Sequence, residues 1–282
     1  MVSFEIEGRQ STRRDPEFNA NAACDLDPKL PDILVDRRGV IAYCMQIDGV
    51  GQHMTRAKFT ERGRSIGMSL NLYFHPLSSF CQKALIALYE NDTPFEPIVV
   101  DFFNEASATA FRKIWPIGKI PVLRDEAKDR TVPESSIIIE YLAQHYPGTL
   151  RLVPADADLA RQTRLRDRFF DLYLNVPMQK IVTDRLRPAG KNDSHGVGEA
   201  KALLQTAIGM VDDDMETKSW AMGDGFTMAD CAAAPPLFYV NMLMPFADTH
   251  RNATRYLRRL MERPSFARAI EEAEPYLALV PR

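Results

Sequence analysis

Apolar and polar positions alternate most clearly just before the middle of the first half of the chain. Leu70, Leu72 and Phe74 are apolar, with Asn71 and Tyr73 between them, and a period of two predicts a strand. His75-Pro76-Leu77 breaks the alternation, since proline has no N–H to give to a ladder. Past Ser78 and Ser79 the period changes. Apolar residues recur at Phe80, Ala84, Leu85 and Leu88, which predicts a helix over 79–90 with a serine at its N-cap. The stretch reads strand, tight turn, helix.

The pattern runs on to residue 148. Phe95–Asp101 predicts a second strand, and Ala106–Trp115 a short helix stopped by Pro116. Gly118–Arg124 predicts a third strand entered through Pro121, and Thr131–Pro133 a fourth after a polar turn. Glu134-Ser135-Ser136 opens a helix carrying Ile137, Ile138, Tyr141, Leu142 and His145, ended by Pro147-Gly148. The order β-α-β-α-β-β-α suits one small mixed sheet with helices on both faces. After a linker over 149–156 the strand signals stop. Residues 157–187 are amphipathic at helical spacing, with a kink expected at Pro177. Further helices are expected over 197–218, from the capping box Thr227-Met228-Ala229-Asp230, and over 252–262 and 265–273. The chain thus divides into an α/β domain over 68–148 and an all-helical domain over 157–282. Residues 1–67 sustain no period. They read as a poorly ordered extension, with Met68 as a candidate start of the folded chain, or as a short targeting or partner-binding segment.

Composition narrows the function. With 282 residues, 45% of them hydrophobic, there is room for two ordinary domains. A net charge of −3 offers no basic excess for nucleic acid. No apolar run reaches the roughly 18 residues of a membrane span, and no signal-peptide pattern opens the chain. A cytoplasmic protein is expected. Cys24, Cys44, Cys81 and Cys231 are far apart, and the five histidines do not cluster with them; reduced thiols and no metal are expected.

Three places carry candidate chemistry. Ser78 and Cys81 stand at a predicted helix N-terminus, where unpaired N–H groups and the dipole stabilise anions, thiolates included. The Ser-x-x-Cys spacing is similar to the Cys-x-x-Cys of thioredoxin-like proteins with a hydroxyl for the first sulfur. A hydroxyl cannot form the disulfide, but it can donate a hydrogen bond to another molecule's sulfur. In the plainer reading, Ser78 only caps the helix and Cys81 is a small buried apolar residue. Ile120-Pro121 is either strand-edge punctuation or a cis bond that turns the Ile120 backbone outward. Glu134-Ser135 is either an N-cap with an acidic first turn or a receptor for an amino-acid head group.

Taken together, Pro76-Leu77-Ser78-Ser79-Phe80-Cys81, Trp115-Pro116-Ile117-Gly118-Lys119-Ile120-Pro121, Glu134-Ser135-Ser136-Ile137-Ile138 and Thr227-Met228-Ala229-Asp230 resemble a cytosolic glutathione S-transferase over 69–282. The serine is closest to theta, delta and related bacterial forms. The resemblance implies a thioredoxin-like domain followed by a helical bundle, a homodimer, and glutathione as co-substrate. It implies that Ser78 activates the glutathione sulfur, with Ser79 as the competing hydroxyl. Ile120, beside Pro121, would pair with the cysteinyl backbone, Lys119 would approach the glycyl carboxylate, and Glu134 and Ser135 would hold the γ-glutamyl end. Trp115 departs from the Asn many members carry. The Ser-Ser-Cys-x-Trp-Arg run of the zeta-type isomerases is absent, which argues against maleylacetoacetate isomerisation. A small hydrophobic electrophile is expected against Phe169, Tyr173 and Met178 of the first long helix, residues that also suit a core stripe. Asp167 and Asp171 on that helix read as solvated-face carboxylates, with contact of one of them to glutathione or to the partner subunit as the alternative. Peroxide reduction or ether cleavage by the same thiolate, and a non-catalytic interaction role, are the competing functions.

Overall fold

The computed structural model describes residues 69–280, and the expectations for residues 1–67 lie outside them. Strand β1, Leu70–Phe74, buries its three apolar residues and leaves Asn71 and Tyr73 half-buried. Helix α1, Ser79–Glu90, follows, then β2, Glu96–Val99, and α2, Glu105–Ile114. Next come β3, Val122–Asp125, β4, Arg130–Pro133, and α3, Ser135–His145. The sheet order is β2-β1-β3-β4, parallel between β1 and β2 and antiparallel elsewhere. β2 lies at the edge, where Pro97 deprives no inner strand of a donor. One face of the sheet packs Leu70, Leu72 and Phe74 against Leu85 and Leu88 of α1 and Ile138 and Leu142 of α3. The other face packs Tyr73 and Val122 on Phe111 of α2.

β3 begins later than the expected Gly118. Gly118 has φ +71° and donates to the Trp115 carbonyl at 2.9 Å, closing a turn. Pro121 has no N–H to give, so the ladder starts at Val122. There Val122 lies between Tyr73 of β1 and Pro133 of β4. The end of β1, the start of β3 and the end of β4 therefore coincide at one end of the sheet.

The helical part contains α4, Ala157–Phe169, a π-helical turn, Phe170–Asn175, and α5, Val176–Arg185. α6, Ser194–Asp214, α7, Met228–Leu243, α8, Arg251–Met261, and α9, Pro264–Ala273, follow, with a closing 3₁₀ turn at Glu274–Leu279. The kink expected at Pro177 takes the form of the π turn just ahead of it. Pro177 offers no N–H to the preceding turn, and the chain closes wider: Val176 N–H reaches the Asp171 carbonyl five residues back. Phe170, Leu174, Met178, Leu204, Ile208, Leu237 and Tyr256 form the interior of this part. The capping box is present at α7. Thr227 accepts from the Ala229 N–H, and the Asp230 carboxylate accepts from the Thr227 N–H at 2.8 Å, the Ala221 N–H at 2.7 Å and the Tyr256 hydroxyl at 2.6 Å.

Asp167 and Asp171 correct the solvated-face expectation, because both are buried. Lys83 of α1, 1% exposed, lies 2.6 Å from Asp167 Oδ1 and 2.8 Å from Asp171 Oδ2, and donates to Ser136 Oγ of α3 at 2.8 Å. The cation that α1 brings to that helix face compensates the two buried charges.

Candidate functional site

Ser78 is fixed by its backbone. Its N–H donates to the His75 carbonyl at 3.0 Å, its carbonyl accepts from the Gln82 N–H at 2.9 Å, and φ −74°, ψ 116° is the extended conformation of an N-cap. Its hydroxyl accepts from the Cys81 N–H at 3.4 Å, a long contact. A side-chain hydrogen bond also joins the hydroxyl to the Cys81 sulfur of the same turn, and Ser78 is half-buried. Ser79 is different. It is buried, donates to Asn175 Oδ1 at 2.7 Å and accepts from Gln179 Nε2 at 3.5 Å. Its hydroxyl is committed to the π turn.

Cys81 is fully buried, and burial pushes its thiol up to about 12. Cys231 is also buried and its thiol is raised for the same reason. A thiol held protonated is not a nucleophile. Iodoacetamide at pH 8 is therefore expected to spare both cysteines in the native chain and to label both in guanidinium. Labelling of native Cys81 at the rate of a free thiol would contradict its burial.

The other candidates leave the sheet at the same end as Ser78. The Ile120–Pro121 bond is cis, and neither the N–H nor the carbonyl of Ile120 has a backbone partner among the described residues. Lys119 beside it is exposed. Glu134 is exposed and sits at φ +70°, a conformation that costs a non-glycine residue about 1–3 kcal/mol. It makes no side-chain capping bond, while Ser135 behind it is buried at the start of α3. The arrangement can take an extended ligand along β3, with an anion at either helix N-terminus. Of the three residues expected at an electrophile, Tyr173 is 46% exposed, whereas Phe169 and Met178 are buried in the helical core. No group of three or more metal-type side chains converges among the described residues.

Several residues that build the site gave no local signal in the sequence. Tyr239 of α7 donates to the Leu77 carbonyl at 3.0 Å. Gln82 donates to the Pro76 carbonyl at 2.9 Å and to the Tyr239 hydroxyl at 3.0 Å. Tyr276 of the closing turn meets the His75 ring edge-on at 5.1 Å, and burial lowers the basicity of that imidazole. Arg168, half-exposed, donates to Ser136 Oγ at 2.7 Å and also contacts Asp171, where the buried Lys83 cluster reaches the surface.

Known proteins share this framework. The glutathione S-transferase N-terminal domain family matches residues 72–150, and the C-terminal domain family matches residues 171–264. A glutathione S-transferase-like protein LUC7 of a Fusarium species is 30% identical over 152 residues, 53% of this chain and 65% of that one. The FtsZ-localized protein A of Caulobacter vibrioides is 26% identical over 73% of this chain and 93% of its own. A crystal structure of a glutathione S-transferase from Methylobacterium radiotolerans, in complex with glutathione sulfonate, superposes with a TM-score of 0.64 at 25% identity, covering 71% of this chain and 94% of that one. With both halves matched in the family's own order, on a sheet and helical bundle of the same form, the chain belongs to the glutathione S-transferase superfamily.

Proposed function

We propose that the protein is a glutathione transferase that adds the glutathione thiolate to a small hydrophobic electrophile. The observation that carries this reading is the Ser78 hydroxyl. It stands half-buried at the mouth of α1, with its hydrogen bonds to Cys81 made inside its own turn, at the sheet end from which Ile120 and Glu134 also emerge. Ser79, donated to Asn175, is the weaker candidate for the activating group.

In this reading Ser78 donates a hydrogen bond to the sulfur and takes no proton. The thiol proton leaves to water, and the sulfur lone pair then attacks the electrophile. Ile120 pairs with the cysteinyl backbone beside Pro121, Lys119 faces the glycyl carboxylate, Glu134 takes the ammonium, and Ser135 with the α3 N-terminus takes the γ-glutamyl carboxylate. The exposed ring of Tyr173 faces the electrophile, and Phe169 and Met178 support it from the core. The exposed Leu165, Leu172 and Val176 suit the subunit contact of a homodimer. Two buried free thiols and a glutathione co-substrate suit a reducing cytoplasm.

Glutathione titrated into the full chain is expected to bind saturably, and the protein to conjugate chlorodinitrobenzene faster than it reduces cumene hydroperoxide. Faster peroxide reduction would give the same site a peroxidase role. The likeness to FtsZ-localized protein A favours one competing reading, an interaction protein that keeps the fold. A folded chain that binds no glutathione would decide for it.

A further inference from the structure

The backbone on both sides of Ser78 is tied to the helical part of the chain. On one side, Tyr239 of α7 donates to the Leu77 carbonyl at 3.0 Å across 162 residues. Gln82 ties the Pro76 carbonyl to the same phenol. The amide of Gln82 is spent wholly on its donor side: its Oε1 is buried with no hydrogen-bond partner. Turning the amide over would set that oxygen against the Pro76 carbonyl, two acceptors face to face. On the other side, Asn175 of the π turn accepts from Ser79 Oγ at 2.7 Å across 96 residues. Tyr239, Asn175 and Gln82 are all buried, whereas Leu77 and Ser78 are half-buried and open to water. Solvent could satisfy the Leu77 carbonyl. A fixed phenol sets its direction instead.

We infer that Tyr239 and Asn175 are positioning residues, which hold the peptides on either side of Ser78 and so aim its hydroxyl at the glutathione sulfur. The inference rests on the proposed role of Ser78. Tyr239 acts through the Leu77 carbonyl and Asn175 through Ser79, and neither touches the ligand. The π turn fits this task, since π turns inside α-helices are frequent at functional sites, and this one brings Asn175 to the first turn of α1.

The test uses the full chain saturated with glutathione, the ultraviolet absorbance of the bound thiolate followed against pH, and Tyr239→Phe and Asn175→Leu as variants. Tyr256→Phe is the matched control, for it loses a buried hydrogen bond to Asp230 on the far side of α7. Tyr239→Phe and Asn175→Leu are each expected to lower the thiolate fraction at pH 6.5 about threefold to tenfold, with the glutathione Kd kept within about twofold. Tyr256→Phe is expected to lower the Tm by as much or more and leave the fraction alone. Ser79→Ala added to Asn175→Leu is expected to cause no further fall. An unchanged fraction in one variant strikes that residue from the role. Unchanged fractions in both, or an equal fall in Tyr256→Phe, overturn the inference while the reading of Ser78 stands. If the wild-type chain binds no glutathione, that reading fails and takes the inference with it. Should Asn175→Leu not fold, the isosteric Tyr239→Phe decides alone.

Discussion

Ser78→Ala is expected to lower the conjugation rate at pH 6.5 by about 10- to 100-fold while glutathione binds nearly as before. The magnitude follows from the sulfur. A free thiol with a pKa of about 8.5 is only a few per cent ionised at neutral pH. Bringing it down by about two units needs about 2.7 kcal/mol. A charge-assisted hydrogen bond supplies about 1.5–3 kcal/mol, and a helix N-terminus about 0.3–1 kcal/mol. Those two contributions reach the requirement without a general base. Removing the larger leaves the smaller. Affinity should survive because the proposed contacts at Glu134, Ser135 and Ile120 hold the tripeptide away from its sulfur. The pH dependence is the signature. A group whose pKa rises from near 6.5 toward 8.5 has its deficit between those values, so the variant should approach the wild-type rate as pH rises to about 9. The variant also loses an N-cap bond. That bond is long, 3.4 Å to the Cys81 N–H, so the stability loss should sit at the low end of the roughly 0.5–2 kcal/mol for such caps. Wild-type turnover at pH 6.5 in the variant would end the proposal for Ser78, and a larger loss in Ser79→Ala would transfer the role to its neighbour.

Much of the framework was legible because its signals are local. The alternation over 70–74, the α1 span, the Pro116 stop and the Thr227-Asp230 box depend on neighbours within a turn or two, and the structure has strands, helices and caps there. What the sequence hid depends on distance along the chain. Asp167 and Asp171 look like surface carboxylates until Lys83, 88 residues before Asp171, is placed against them. One signal was available. Lys83 interrupts a helix in which 84–88 are all apolar, and Asp167 and Asp171 continue the helical spacing of the buried Ala160 and Thr163. A cation within one apolar run and two anions on another predict each other. Tyr239 and Asn175 gave no such hint, since a buried tyrosine and asparagine among core residues carry no mark of what they bond. The start of β3 failed for a different reason: hydrophobic period cannot report that Gly118 turns the chain before the ladder begins.

Lys83→Met should be the most destabilising single change in the folded chain, by about 3–5 kcal/mol at pH 7. The lysine is 1% exposed and within 2.8 Å of two carboxylates that are themselves nearly inaccessible. Removing it leaves two buried anions with one cation, the half-exposed Arg168, which contacts both, and the Ser136 hydroxyl, which donates to Asp167 at 2.7 Å. Breaking a buried pair costs far more than the pair contributes, because the desolvated charge remains. At about 2–4 °C per kcal/mol for a chain of this size, a fall in Tm of about 10 °C is expected. Acid should narrow the gap. Burial already raises the Asp171 carboxyl above its ordinary range, with Lys83 opposing that rise, and its Oδ1 is buried with no hydrogen-bond partner. Without the lysine that carboxyl rises further. The folded variant then holds a proton that the unfolded chain releases above about pH 4, so its stability falls as pH rises through this interval and recovers as pH is lowered. Lys83→Met combined with Asp167→Asn and Asp171→Asn removes the stranded charge and should regain most of the loss. Urea unfolding at pH 7 and pH 5 reads all of this. A loss below about 1 kcal/mol at pH 7, in the range of an exposed pair, would mean that the cluster is hydrated in solution and that α1 is not held against α4 by charge.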